Sequence, residues 1–259
     1  MKVDASILTV LIFIGAGASA GYVIKSGIVY VPVLTDMSRN AREESVANHA
    51  WPPVIGQPYP ELQLTGLDGK PVKLSDYKGR VMVIESIAMS CKACQSFSGA
   101  NEEGIGPFAT EQGGGHQPGL ESFETYLNRF AKADLNDPRL LYVQVLFYGL
   151  ESRPPTLEEA QAWASHFKLD RPNVLVAIAS DRYISQETQQ MIPSFQLVDQ
   201  NFQLRFDAGK QPRQDLYKEL LPGLTSILAG ETEPEASAPT ADTPAGSAEQ
   251  PEAAPASAG

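Results

Sequence analysis

The chain contains two cysteines, Cys91 and Cys94, three positions apart and directly after the apolar run Val81–Ile87. That order of a buried strand and then a thiol pair constrains the fold more than any other feature. Two thiols at this spacing fit the first turn of a helix leaving the strand, where they can close a strained local disulfide. Free backbone N–H groups at a helix start favour the thiolate of the first cysteine. With no further cysteine, neither a four-cysteine zinc site nor a framework of structural disulfides can form, so an apolar core must hold the fold.

Both ends of the 259-residue chain differ in composition from its middle. Residues 7–24 are apolar or small and uncharged, between Lys2 and Lys25. As a helix this stretch would rise roughly 27 Å, enough for a bilayer core. Residues 1–37 therefore read as a single-pass membrane anchor, although Ala18-Ser19-Ala20 also fits a signal-peptide cleavage site. The apolar residues continuing through Leu34 favour retention. Residues 38–51 form a polar spacer and 52–228 the folded domain. Residues 229–259, rich in Ala, Pro and Glu and without an aromatic side chain, read as a disordered tail. Removing the tail's six acidic residues moves the formal charge from −11 to −5, so the domain is only mildly acidic. Nothing in that balance suggests a nucleic-acid footprint.

Within the domain, Leu62–Leu64 and Val72–Leu74 flank the turn Gly66–Lys70 as short strands. Arg80–Ile87, Leu140–Tyr148 and Val174–Ala179 are continuously apolar, as buried strands are. A glycine-rich stretch, residues 99–119, interrupts the chain after the cysteines. It contains an insertion around 101–118 that reads as either a gate or a surface loop. Residues 120–133 show helical spacing at Phe123, Leu127 and Phe130. Thr156 and Glu159 make a capping-box pattern ahead of Leu157, Ala160, Trp163, Ala164 and Phe167 on one helix face. Phe195–Val198 and Gln203–Phe206 read as a hairpin, and residues 213–228 as a closing helix. Strands alternating with helices and followed by a hairpin imply an α/β fold with a mixed sheet.

Three features suit one redox site. Cys91 is the candidate nucleophile and Cys94 the resolving thiol. Glu85 is the only charge in residues 81–89. Buried, its pKa would be raised, which suits an acceptor for the proton of a buried thiol; strand alternation could instead place it at an exposed strand end. The third is Ile192-Pro193, at the start of the strand Ser194–Val198, a position that tolerates proline.

Together with the stretches Gly56–Leu62, Leu67–Lys70, Leu74–Arg80 and Ile192–Asp199, these residues resemble the thioredoxin-like superfamily. The likeness is strongest to its membrane-anchored TlpA/ResA-type thiol–disulfide oxidoreductases, over residues 56–221. The resemblance implies a central mixed sheet flanked by helices and catalytic roles for Cys91, Cys94 and Glu85. It also implies a cis bond at Pro193 that presents the Ile192 backbone to an extended substrate. No cofactor or metal is implied. The implied partners are protein disulfides, an upstream thiol reductant and the inner membrane, with the domain on the periplasmic side. Ser90 stands where that family usually has tryptophan. Two other readings fit less well. A peroxiredoxin-like peroxidase would need Thr or Ser where Ala88 stands, and a Sco-type copper protein would space its cysteines one residue further apart. The histidines open to copper are His49, His116 and His166.

Overall fold

Two mainly apolar segments, 81–88 with Glu85 and Ser86 and 140–148 with Gln144, set the architecture, because strands without polar alternation must be covered on both faces. The computed structural model describes residues 51–209 and 215–230, together with the backbone of 21–24 and 27–30. In chain order its strands are β1 (Gly21–Ile24), β2 (Gly27–Tyr30), β3 (Leu64–Gly66), β4 (Pro71–Val72), β5 (Val81–Ala88), β6 (Leu140–Tyr148), β7 (Val174–Ala179), β8 (Ser194–Val198) and β9 (Leu204–Asp207). Strands β3 to β9 form one seven-stranded sheet ordered β4-β3-β7-β6-β5-β8-β9. Strands β5, β6 and β7 run parallel, whereas β3, β8 and β9 each pair antiparallel with a neighbour. The sheet is mixed, as expected, and β5 lies in its interior between β6 and β8.

Helices cover the sheet. They are α1 (Lys92–Phe97), α2 (Phe123–Tyr126, continued by a π-helical turn Leu127–Ala131), α3 (Leu157–His166), α4 (Gln186–Met191) and α5 (Leu221–Ala229, preceded by a π-helical turn Leu216–Leu220). The capping box of α3 is present, with Thr156 Oγ1 accepting the Glu159 N–H and Glu159 Oε2 accepting the Thr156 N–H. Side chains of β5 and β6 alternate across the sheet up to the register shift at Ile87/Ala88. Met82, Ile84, Val143, Val145 and Phe147 pack on one face with Tyr59 and Tyr183. Val81, Val83, Leu140 and Tyr142 pack on the other with Phe123, Phe195, Leu220 and Leu224.

Several expectations need correction. The apolar N-terminal stretch ends in a strand: Gly21–Ile24 pairs antiparallel with Gly27–Tyr30, so these residues are not the last turn of a spanning helix. Their β-branched residues Val23, Ile24, Ile28 and Val29 suit that pairing. Residues 1–20, 25–26, 31–50, 210–214 and 231–259, and with them most of the anchor, spacer and tail readings, lie outside the described residues. Among the described residues no helix is long and apolar enough to cross a membrane. The first hairpin forms two residues later than expected on its leading strand. Phe130, expected on the buried face with Phe123 and Leu127, is 39% exposed. The wider π turn advances the chain through a smaller angle per residue, so Phe130 swings outward onto Tyr126 and Tyr217. Helix α4 and the short turn Asp181–Tyr183 were not legible in the sequence, since their polar residues carry little periodicity.

Phe123 joins the α2 start to the sheet, stacking on Tyr142 at 4.5 Å and on Phe195 at 5.3 Å between ring centroids. Phe123→Ala is expected to lower the unfolding free energy by about 3–5 kcal/mol, measured by urea denaturation.

Candidate active site

The chain leaves β5 while still held to β6, through Met89 N–H donating to Tyr148 O at 2.8 Å. Ser90 is exposed, and Cys91 then caps α1 from an extended conformation (φ −72°, ψ 118°). Its Sγ accepts the Cys94 N–H at 3.2 Å. Cys91 is half-buried and Cys94, one turn on, fully buried. Both are free thiols. The Cys94 thiol donating to Cys91 Sγ, helped by the N–H groups of Cys94 and Ala93, brings Cys91 from 9.0 down to about 7 against the opposing effect of its own burial. Burial and the adjoining Cys91 sulfur, with Glu85 adding a smaller effect, push the Cys94 thiol well above its usual range. The two sulfurs thus differ as a nucleophile and a resolving thiol should.

Glu85 lies in mid-strand and is wholly inaccessible to solvent. Its position in β5 puts it on the side of Val83 and Ile87, facing α1 rather than an exposed strand end. Burial raises its pKa well above the ordinary 4.5, and hydrogen bonds from Tyr142 and Gln144 act against that rise. The Tyr142 hydroxyl donates to Glu85 Oε2. Gln144 Nε2 lies 3.0 Å from the Tyr142 hydroxyl, 3.0 Å from Ser98 Oγ and 3.4 Å from Glu85 Oε2. Trp163 Nε1–H donates to Gln144 Oε1 at 2.9 Å. Among the described residues Glu85 Oε1 has no hydrogen-bond partner.

Tyr142, Gln144, Ser98 and Trp163 were missed as site residues. A signal existed for two of them. Tyr142 and Gln144 stand two apart in an otherwise aliphatic and aromatic strand, on the same face as Glu85, and Gln144 pairs with Glu85 in the sheet register. Trp163 reads from sequence as core, which it also is.

The Ile192–Pro193 peptide bond is cis. Ile192 packs against the cluster that contains Cys91 and Cys94. Pro193 lines a groove of about 320 Å³ with Phe97, Phe195, Ala208, Leu216 and Tyr217, to which Asp215 adds a carboxylate. The structure therefore groups Cys91, Cys94 and Glu85 on one side of the sheet, with Ile192 against them and Pro193 at the adjoining groove.

The insertion around 101–118 is fastened to α1 itself. Gln95, fully buried, donates to Met89 O (2.8 Å) and Phe108 O (3.2 Å) and accepts the Phe108 N–H (2.8 Å). Ser96 Oγ accepts the Gln117 N–H at 2.8 Å, and Asn101 Nδ2 reaches Gln117 O and Leu120 O. Phe108 packs its ring on Trp163, His166 and Phe167. A Cβ at Gly115 would stand 3.3 Å from the Lys92 side chain, so the loop passes over the residue after Cys91. His166 engages Gly106 O at 3.0 Å, His116 is exposed, and His49 lies outside the described residues. Among the described residues no group of three or more His, Cys, Asp and Glu side chains is placed to hold a metal ion.

Alkylation of Cys91 by iodoacetamide is expected to accelerate as pH rises through about 7, where its thiolate forms. A midpoint near 9 would show that the Cys94 contacts do not act on it. Because the folded state raises Glu85 above its unfolded value, it retains a proton that the unfolded chain has lost. Its favourable contribution is complete below pH 4.5 and is lost as pH rises toward the folded midpoint. Glu85→Gln is expected to flatten that decline, read as unfolding free energy between pH 4 and 9 by about one-unit steps.

No family model matches the chain, and none of the curated proteins compared with it does. Solved structures do match. A thiol:disulfide interchange protein from Bacteroides sp. is 15% identical, covering 70% of this chain and 94% of that one with a TM-score of 0.43. The thioredoxin domain of a thiol-disulfide oxidoreductase from Bacteroides vulgatus is 15% identical, covering 66% and 98%, with a TM-score of 0.40. An uncharacterized conserved protein from Geobacillus kaustophilus is 16% identical, covering 70% and 86%, with a TM-score of 0.46. In this chain the strand leading to the cysteines lies between a parallel strand and an antiparallel strand entered through a cis-proline, and α1 carries the first cysteine at its start. That arrangement, a mixed sheet flanked by helices with a cis bond at Pro193, is the one that the resemblance to thioredoxin-like proteins implies.

Proposed function

We propose that this protein is a thiol–disulfide oxidoreductase that exchanges disulfides with protein substrates outside the cytosol. The observation that carries the reading is the asymmetry of the pair: a half-buried Cys91 at about 7 beside a buried Cys94 held well above its usual range. Glu85 behind them is a buried carboxyl able to take a proton.

In the reducing direction the Cys91 thiolate attacks one sulfur of a substrate disulfide. A Cys91–substrate disulfide forms, and the second substrate sulfur leaves as a thiolate and is protonated from solvent. Forming that bond removes the negative charge of Cys91, one of the influences that hold the Cys94 proton in place. Cys94 then gives its proton to Glu85 and attacks Cys91 Sγ. The Cys91–Cys94 disulfide forms, and the remaining substrate sulfur leaves as a thiolate. Two electrons have passed to the substrate, and an upstream thiol reductant restores the pair by the reverse sequence. The groove beside Pro193 suits an apolar stretch of substrate chain, with the backbone at Ile192 offered to an extended peptide. The apolar residues ahead of the Gly21–Tyr30 hairpin would tether the domain to the inner membrane on its periplasmic side, and the residues after α5 would serve as a solvating extension.

Incubation with a disulfide-bonded protein such as insulin, under a dithiol reductant, tests the reading. Reduction should proceed with the wild type and fall to the uncatalysed rate in Cys91→Ser. Cys94→Ser should accumulate a mixed disulfide through Cys91, visible by mass spectrometry. A Cys91→Ser variant that retained full rate would sink the proposal.

A further inference from the structure

A carboxyl group buried in mid-sheet has two oxygens to satisfy, yet only Glu85 Oε2 is bonded. The donors that reach it form a chain whose direction is determined from its far end. The indole N–H of Trp163 can only donate, so Gln144 must turn Oε1 toward it. The Gln144 amide NH₂ is then forced toward Tyr142 and Ser98, each at 3.0 Å. With its oxygen taken up as an acceptor from Gln144, the Tyr142 hydroxyl donates its proton onward to Glu85 Oε2.

We infer that Trp163, Gln144 and Tyr142 are a one-way chain of donors that keeps Glu85 Oε2 as a fixed acceptor and leaves Oε1 as the atom that takes and releases the resolving-step proton. Trp163, Gln144 and Tyr142 are thus positioning residues for Cys94 chemistry, acting through Glu85 without touching substrate. The inference rests on the oxidoreductase reading above for its use, but not for its geometry. The titratable groups that face Glu85 are Cys91 and Cys94 from α1 and Tyr142 from β6. The other elements packed on this side present Phe195 from β8 and Phe123 from α2, which do not titrate, and further off Tyr126 from α2 and Tyr217 from the turn before α5, whose rings pack on each other. Donors that favour the carboxylate counter the burial that favours the acid, so the chain holds Glu85 where it can exchange a proton.

The test follows the Glu85 side-chain carboxyl by carbon NMR against pH in the reduced full-length protein, its signal assigned by Glu85→Gln. Tyr142→Phe, which deletes one hydroxyl, is expected to raise the Glu85 midpoint by about one unit or more. Trp163→Phe frees the Gln144 amide to turn over and should raise the midpoint by a smaller step. The double variant should sit above Tyr142→Phe by less than the full Trp163→Phe step, because Trp163 orients Gln144, which reaches Glu85 both by way of Tyr142 and directly at 3.4 Å. Should Trp163→Phe not fold, Gln144→Met removes the middle link and should also raise the midpoint. An unmoved midpoint in Tyr142→Phe, or single shifts that simply add in the double variant, would overturn the inference. Insulin reduction by the wild type is measured alongside. Failure there with shifted midpoints rejects the oxidoreductase reading alone, and unshifted midpoints with intact reduction reject the donor chain alone.

Discussion

The burial of Glu85 in an interior strand is the constraint around which this side of the molecule is arranged. An isolated carboxylate in an apolar sheet would be too costly to retain, so the surrounding elements must either supply donors or hold the group protonated. The protein does both in part. Tyr142 and Gln144 come from the neighbouring strand, Ser98 from the end of α1 and Trp163 from α3. Only Tyr142 and Gln144 reach the carboxyl itself; Ser98 and Trp163 bond Gln144, so through that one amide the helix that carries the cysteines and α3 are both tied to the strand pair that holds the acid. The same low-polarity setting that raises Glu85 also raises Cys94, while Cys91, nearer solvent and surrounded by donors, moves the other way.

A second set of contacts fixes the front of the site. Gln95 and Ser96 are polar, fully buried and on the helix that follows Cys91. Besides Met89 O and Lys92 O, their partners are Phe108 and Gln117 of the insertion, so the loop completes the hydrogen bonding of α1 instead of hanging from the surface. A Cβ at Gly114 would stand 1.8 Å from Phe108 O, which explains why glycine occurs at that turn. Through Phe108 the insertion also reaches Trp163, the far end of the donor chain. With Ser90 exposed next to Cys91, residues 108–117 provide the cover on this flank.

Much of the sheet was legible because buried strands carry a strong one-dimensional signal. Leu140–Tyr148 and Val174–Ala179 match to the residue, and the capping box at Thr156 announced α3. The errors fall where several elements compete for one segment. The π turn after Tyr126 cannot be told from an α-helix by apolar spacing, and Phe130 was misplaced for that reason. The N-terminal apolar run has the composition of a spanning helix and also the β-branched residues of a hairpin, and Gly21–Ile24 takes the second course. Candidate residues that carry their own chemistry, namely Cys91, Cys94 and Glu85, stood out by type. Tyr142, Gln144 and Trp163 did not, since each is ordinary in a core and acquires a role only from what it faces.

By itself the sequence determined that two thiols follow a buried strand, that a lone acid lies within that strand, and that a proline opens a later one. Local spacing and hydrophobicity are enough for this, because they act along the chain. Only the tertiary structure decided that Glu85 faces α1, that its two oxygens are unequal and that the insertion is tied to the helix of the cysteines. These depend on strand register and on contacts between residues 57 to 59 positions apart at Tyr142 and Gln144. No local rule relates such positions. The direction of a hydrogen-bond chain is set by the last group that can only donate, and in this protein that group is Trp163.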